Sequence, residues 1–128
     1  MSSEVVDKIW KTYIGMIGTV PPKVKKRIHF SASVDVDSLS QLEELRLAFL
    51  ESKHLDAKHV QLIAFALLLA QLSAAAEHHA RAAILAGATK EELHDVAKIA
   101  FLFRGLPAMN HAGEVLCKVF PDAAPDSS

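Results

Sequence analysis

The chain is organised around the sequence QLSAAAEHHARAAILAGAT, residues 71–89, where a long apolar segment meets a cluster of ionisable side chains. With the residues before it, this stretch carries a helical pattern over residues 57–86, which is much longer than a usual globular helix. We therefore expect the pattern to bend or break near residues 71–73. Gly87 is expected to end it, because glycine readily adopts the left-handed conformation that closes a helix.

Five other helical patterns flank this segment. Apolar residues recur at three- and four-residue steps, and the predicted helices cover residues 4–17, 23–31, 41–53, 89–104 and 108–119. Residues 33–38 are polar and are predicted to form a loop, followed by a capping box at residues 40–43. The helix after this box is predicted to bury Leu42, Leu45 and Phe49. No segment alternates apolar and polar residues with period two, as a strand would. We therefore predict an all-α fold with about six helices.

The helix predicted at residues 89–104 has the clearest beginning. Its first residues, TKEE, have the form of a capping box that starts at Thr89. Its inward face is predicted to contain Leu93, Val96, Ala97, Ala100 and Phe103. Short connections make the last three predicted helices neighbours in space.

The length and composition predict one small domain that self-associates. A chain of 128 residues matches a single domain. We place it at residues 1–120, followed by a polar tail, residues 121–128, that we expect to be mobile. Hydrophobic residues make up 51% of the chain and the mean hydropathy is positive. A small monomer cannot cover so much apolar surface, so we expect helix packing between subunits to bury it.

Charge and cysteine content exclude several classes of function. The net charge is −1, and no basic cluster extends beyond residues 23–27, so no nucleic-acid partner is expected. The apolar part of the 57–86 pattern is about the minimum length for a membrane span, but glutamines and a serine interrupt it, which favours a buried helix. A lone Cys117 excludes an internal disulfide and fits a reducing compartment. With no secretory leader pattern at the start, we expect a cytoplasmic protein.

Two adjacent histidines, His78 and His79, are the leading candidates for chemistry. They lie between Glu77 and Arg81, whose i,i+4 spacing favours an ion pair. Neighbouring residues on a helix point about 100° apart, so only one of the two histidines can face a given pocket. One interpretation is a solvated helix end. The other is a histidine in a pocket, where a pKa near neutrality lets it move a proton in either direction.

Other polar residues could contact an anionic substrate. Asn110 and His111 lie in the first turns of the last predicted helix, where main-chain N–H groups favour anions. Gln61 lies near the start of the long helical pattern. For these three residues a packing or capping role is the alternative. Arg81 and Arg104 are the natural clamps for a carboxylate.

The spacing of the remaining histidines does not indicate a metal site. His29, His54 and His94 lie among charged residues and are expected to face water. His54 and His59 are five residues apart, so they lack the i,i+3 or i,i+4 spacing that places two ligands on one helix face. The sequence also lacks an HExxH motif.

The C-terminal half resembles a known family. The sequence HARAAILAGATKEELHDVAKIAFLFRGLPAMNHAGEVL, residues 79–116, is similar to the carboxymuconolactone decarboxylase family, which is grouped with the alkylhydroperoxidase (AhpD-like) proteins. The matching pieces are residues 79–83, 87–92 and 105–112, and the resemblance covers about residues 13–117. It implies an AhpD-like helical domain that assembles into trimers or hexamers.

The resemblance is to the decarboxylase branch rather than the peroxidase branch. Peroxidase members carry a CxxCxxxH motif, and aligning its histidine with His79 puts Leu72 and Ala75 at the cysteine positions. Gln61 is the residue nearest to the glutamate that precedes that motif. Thiol-based peroxide reduction needs a thiolate and a resolving partner. The resemblance therefore implies chemistry without thiol redox steps.

By this resemblance the protein is a cofactor-independent lyase, or a related isomerase, in the breakdown of aromatic compounds. It would remove CO₂ from a small cyclic carboxylic acid or lactone and protonate the resulting dienolate. The alternatives are a catalytically idle binding or assembly module, and an alkylhydroperoxidase-type protein using Cys117. The implied catalytic residues are His79, His78 and His111. The implied substrate-binding residues are Arg81, Asn110, Gln61 and Arg104.

Overall fold

The protein consists of α-helices that form two compact units, divided between His54 and Leu55. The computed structural model describes residues 2–126, without the side chain of Ser2. The first unit contains α1 (Ser2–Ile17), α2 (Pro22–Val34) and α3 (Val36–Leu50). The second contains α4 (Ala57–Ala70), α5 (Ala76–Leu85), α6 (Lys90–Arg104), α7 (Leu106–Val119) and a 3₁₀ turn, Pro121–Ala123.

The predicted all-α class is confirmed. The described residues contain no strand, and they form seven α-helices rather than six because the predicted 57–86 helix is two helices, α4 and α5. No helix among residues 2–126 is both long and apolar enough to cross a membrane. The tail that we expected to be mobile begins with the 3₁₀ turn, and its residues 127 and 128 lie outside the described part of the chain.

The second unit has a core built largely from small side chains. Helix α4 packs against α5, α6 and α7. Phe65, Leu69 and Leu93 are fully buried there, among the alanines Ala76, Ala80, Ala83, Ala97, Ala108 and Ala112. Alanine has little bulk, so the helix backbones can approach closely around the few large side chains.

The predicted start of α6 is confirmed. The Thr89 hydroxyl accepts the Glu92 N–H at 3.1 Å, and the Glu92 carboxylate accepts the Thr89 N–H at 2.9 Å. The other Glu92 oxygen accepts a hydrogen bond from Lys58 of α4 at 2.9 Å. Lys58 thereby holds the pKa of Glu92 below its usual value. Within α6, Leu93, Ala97 and Ala100 are buried as predicted. Phe103 is 86% exposed, so its prediction was wrong; it points about 90° away from the centre of the buried face.

The predictions for α3 were wrong in both start and face. Residues 33–38 are helical except for Asp35, whose carboxylate accepts the Ser38 N–H at 3.1 Å and caps α3. The helix therefore begins before the predicted capping box at residues 40–43. Its buried residues are Leu39 and Glu43, whereas the three predicted core residues are exposed: Leu42, Leu45 and Phe49.

A buried carboxylate explains the orientation of α3 within the first unit. Glu43 is 8% exposed and accepts hydrogen bonds from Arg27 at 2.6 Å and Arg46 at 3.4 Å. Arg27 also donates to the Tyr13 hydroxyl at 3.0 Å, and Arg46 lies 4.3 Å above the Tyr13 ring. Burial opposes the charge of Arg27, but the bond to Glu43 offsets this and the pKa of Arg27 is raised. Because a buried carboxylate must be paired, this cluster decides which face of α3 is inward.

The break between α4 and α5 is a Schellman motif with leucine in the left-handed position. The Leu72 N–H donates to the Leu69 carbonyl at 3.0 Å, and the Ser73 N–H donates to the Leu68 carbonyl at 2.9 Å. This pair of bonds defines the motif. Leu72 has a φ of 54°, the only positive φ of a non-glycine residue in the described chain. The break predicted near residues 71–73 is thus confirmed.

The same motif closes α5, with glycine in the equivalent position. Gly87 donates to the Ile84 carbonyl at 3.0 Å, and Ala88 donates to the Ala83 carbonyl at 2.8 Å. The φ of Gly87 is 103°, which confirms its predicted role as the residue that ends the helix. Helix α5 therefore lies between two left-handed residues, of which only Gly87 avoids the steric cost of a Cβ atom.

Because residue 72 is left-handed, we expect glycine to be more stable than alanine at this position, which is the opposite of their order inside a helix. Leu72→Gly should be more stable than Leu72→Ala by about 1 kcal/mol, because alanine keeps the Cβ clash that glycine lacks. Inside a helix the order is the opposite, by a similar amount. The free energies of unfolding of the two variants, measured with urea, check this prediction.

The exposed residue Leu102 in α6 provides a matched control. There, Leu102→Ala should be more stable than Leu102→Gly. If alanine proves better at both positions, residue 72 is not held in the left-handed conformation.

Candidate active site

His79 and Gln61 form a hydrogen-bonded pair between α5 and α4. The Nδ1 atom of His79 lies 2.7 Å from the side-chain oxygen of Gln61. Gln61 is 5% exposed and His79 is half-buried. An amide oxygen only accepts, so Nδ1 carries the proton of this hydrogen bond. The pair therefore selects the neutral tautomer in which Nε2 is the basic nitrogen.

The sequence contains a signal for this pair, although we did not predict the contact. Gln61 occupies the same helix face as Phe65 and Leu69, at successive four-residue steps, and all three are buried. A polar side chain on such an apolar face needs a hydrogen-bonding partner. That requirement could have linked Gln61 to a histidine, but spacing along the chain does not say which one.

His78 faces a less polar environment than water. It is half-buried, and burial lowers the pKa of its imidazole below the usual value. The nearby Glu77 opposes this shift, whereas Arg81 reinforces it. The neutral form of His78 is therefore favoured in the folded protein.

Glu77 joins two cations beside the histidines. Arg81 donates to Glu77 from Nη2 at 3.2 Å and from Nε at 3.3 Å. Lys118 of α7 lies 3.9 Å from the other Glu77 oxygen. The ion pair expected from the i,i+4 spacing is thus present, and Glu77 offsets the charge of Arg81.

His111 contacts the break between α4 and α5. Its Nε2 atom lies 2.8 Å from the main-chain carbonyl oxygen of Ser73. A carbonyl oxygen only accepts, so His111 donates through Nε2–H. Ser73 was not among the residues predicted from the sequence. Its contact is through the main-chain carbonyl, which every residue type has, so the residue type does not indicate it. Helix α7 thus reaches the segment that precedes His79 through a side chain.

The other predicted residues are accessible. Arg104 is the last residue of α6 and Asn110 lies in the second turn of α7, and both are exposed. His29, His54 and His94 are exposed as predicted. Among residues 2–126, no group of three or more His, Cys, Asp or Glu side chains is placed to hold a metal ion.

Leu72 and Ala75, the two positions that the resemblance led us to align with peroxidase cysteines, have main-chain roles. Leu72 is the left-handed residue of the break, and Ala75 is the residue that precedes α5. Neither side chain can carry out redox chemistry. Cys117 is half-buried on α7, in a groove that it lines with Leu116 and Phe120.

Comparison with known proteins agrees with the fold described above. The model of the carboxymuconolactone decarboxylase family matches residues 37–116, more than half of the chain. A crystal structure of a protein from Burkholderia xenovorans LB400, provisionally named a carboxymuconolactone decarboxylase, has the same fold. Its TM-score is 0.77 at 19% identity, over 95% of this chain and 96% of that one. No protein with a curated description matches this sequence.

The lowered pKa of His78 predicts a loss of stability in mild acid. Below a pH of about 6.5 the unfolded chain binds a proton at this residue more readily than the folded chain does, so acid favours unfolding. His78→Gln should remove this contribution. The free energy of unfolding should then decline less between about pH 7.5 and 5.5 than it does in the wild type.

His94→Gln, at an exposed histidine of α6, is the control and should follow the wild type over this range. Urea denaturation at several pH values measures all three proteins. Parallel declines for the wild type and His78→Gln would contradict the prediction.

Proposed function

The chain belongs to the carboxymuconolactone decarboxylase family, and we propose that it is a lyase that transfers a proton from His79 to a small cyclic carboxylic acid or lactone. The observation that carries this proposal is the 2.7 Å contact between His79 Nδ1 and Gln61. A half-buried imidazole held in one tautomer by a buried amide is suited to exchange protons through its other nitrogen.

Gln61 suits both protonation states of this histidine. Nδ1 carries a proton in the imidazolium and in the selected neutral tautomer, so the amide oxygen accepts a hydrogen bond in both. His79 can therefore lose and regain its Nε2 proton without breaking its contact with α4. The ring keeps its orientation through the catalytic cycle, which is the condition for efficient general acid catalysis.

The proposed reaction balances without an external electron acceptor. The bond between the ring carbon and the carboxylate breaks, CO₂ leaves, and the electron pair enters the conjugated carbonyl system as a dienolate. The His79 imidazolium delivers its Nε2 proton to carbon and is reprotonated by water. The substrate supplies its own electron sink, so the chemistry needs no organic cofactor. An isomerisation would use the same proton transfers without loss of CO₂.

The anionic groups of the substrate need hydrogen-bond donors or cations from the protein. Arg104 and Asn110 are exposed and are the proposed contacts for the carboxylate. Arg81 is bonded to Glu77, so its charge is partly offset before any substrate binds. His78 is the proposed second acid–base group. Its lowered pKa favours the neutral form, which can accept a proton.

A binding or assembly module is the second candidate. The observation that favours it is the neutral partner of His79, because Gln61 cannot stabilise an imidazolium as a carboxylate would. A peroxidase is less compatible with this chain, since Leu72 and Ala75 supply no thiol. The lone Cys117 fits the cytoplasm, where we propose that the protein acts.

We also propose that the chain assembles into trimers or hexamers. Helix α4 carries no Asp, Glu, Lys or Arg after Lys58, and its outer face exposes Ile63 and Leu67 at 47% and 58%. On α6, Leu102 and Phe103 are 74% and 86% exposed. A helix that is apolar all round is normally covered on every side. Contact between subunits would remove this surface from water.

Turnover should depend on His79 while the fold does not. In His79→Asn the amide nitrogen takes the place of Nδ1 and can still donate to Gln61, but no ionisable nitrogen remains. We expect turnover to fall by at least about 100-fold, because general acid catalysis contributes about that much or more. The assay follows CO₂ release and product absorbance for carboxymuconolactone and for a panel of cyclic carboxylates and lactones.

The exposed His94 of α6 provides the control, and His94→Asn should keep wild-type turnover. Circular dichroism shows whether each variant is folded. Unchanged turnover in His79→Asn would remove His79 from the mechanism. A folded wild-type protein that turns over nothing in the panel would favour the binding or assembly module.

The mass in solution tests self-association. Light scattering should give three or six times the chain mass of 13.9 kDa. Leu67→Glu should lower this mass, because it places a charge on the apolar outer face of α4. Lys25→Glu, at an exposed polar position of α2, is the control. A stable monomer of the wild-type protein would contradict the proposal.

A further inference from the structure

We propose that His111 is a positioning residue. Its hydrogen bond to the Ser73 carbonyl holds the break between α4 and α5 in the conformation that places His79 against Gln61. In this proposal His111 acts on the site through the main chain of Ser73, whereas the family resemblance implies a catalytic role. The consequence for turnover rests on the proposed function, whereas the consequence for the His79 ring does not.

The break needs support because its backbone is unfavourable for its residue type. Leu72 has a φ of 54°, in the region that non-glycine residues avoid. Several bonds within the break are local: Ser73 N–H donates to Leu68, and the Ser73 hydroxyl accepts the Ala75 N–H at 3.1 Å. The bond from His111 differs, because it comes from α7, 38 residues away. It connects the strained segment to the packed core of the second unit.

The Ser73 carbonyl is also the point from which α5 starts. Besides His111, this oxygen accepts the Ala76 N–H at 3.1 Å, at the first residue of α5. The orientation of the Ser73 peptide therefore influences the first turn of α5, which carries His79. A hydrogen bond of 2.7 Å to Gln61 tolerates little displacement. Loss of the hydrogen bond from His111 should thus displace the His79 ring from Gln61.

The two histidines are held in opposite tautomers. His79 carries its proton on Nδ1, facing an amide oxygen, and His111 carries its proton on Nε2, facing a main-chain oxygen. Neutral imidazoles in these two forms have different ring nitrogen signals in NMR spectra. The hydrogen bond of each ring can therefore be followed separately in the same sample.

A pair of variants tests the role of the donor. His111→Gln keeps an N–H group at about the reach of Nε2, whereas His111→Met keeps comparable bulk without a donor. We expect His111→Met to shift the His79 ring nitrogens towards a mixture of tautomers. We also expect the amide hydrogens of Leu72 and Ser73 to exchange about tenfold faster. His111→Gln should retain the wild-type signals.

Turnover supplies a separate readout. With a substrate from the panel, kcat should fall about tenfold in His111→Met and recover in His111→Gln, because the proton donor is misplaced rather than removed. If the wild-type protein turns over no substrate, the proposed function fails, and the ring and exchange measurements still decide this inference.

Two results would overturn the inference. The first is a folded His111→Met protein with the wild-type His79 ring signals and exchange rates. The second needs no variant, and so it applies even if His111→Met does not fold: in the wild-type protein, neutral His111 would carry its proton on Nδ1. That result would mean that no hydrogen bond reaches Ser73.

Discussion

The second unit depends on one backbone constraint, the left-handed conformation of Leu72. An unbroken helix would place Gln61 and His79 about 27 Å apart along its axis, because each residue adds about 1.5 Å. The Schellman motif ends α4 at this point, so α5 can fold back until the two side chains are 2.7 Å apart. Leucine is an unfavourable residue for this conformation, so the surrounding hydrogen bonds must offset the backbone strain at Leu72.

Buried polar groups decide the remaining packing as much as apolar ones do. In the first unit, Glu43 turns inward with Arg27 and Arg46, and α3 exposes Leu42 and Leu45 as a consequence. In the second unit, Gln61 enters the core and selects His79 as its partner. Both cases follow from the same rule, because an unpaired buried polar group costs more than an exposed apolar one.

The site places ionisable side chains directly after the break between α4 and α5. Leu72 and Ala75 shape the backbone before His79 and supply no thiol. Glu77 offsets the charge of Arg81 close by, and burial favours neutral His78. These conditions support the proposed proton transfer by His79 rather than thiol chemistry.

Local sequence patterns were sufficient to predict the helical class, the break between α4 and α5, the glycine that ends α5 and the start of α6. These features rest on spacing, on glycine and on capping residues, which act within one turn. The inward face of α3, the partner of Gln61 and the contact of His111 emerged from the folded chain alone. Those outcomes depend on polar groups of residues that lie 16, 18 and 38 positions apart in the sequence. Periodicity within a single helix contains no information about such distant partners, so tertiary packing was needed to assign them.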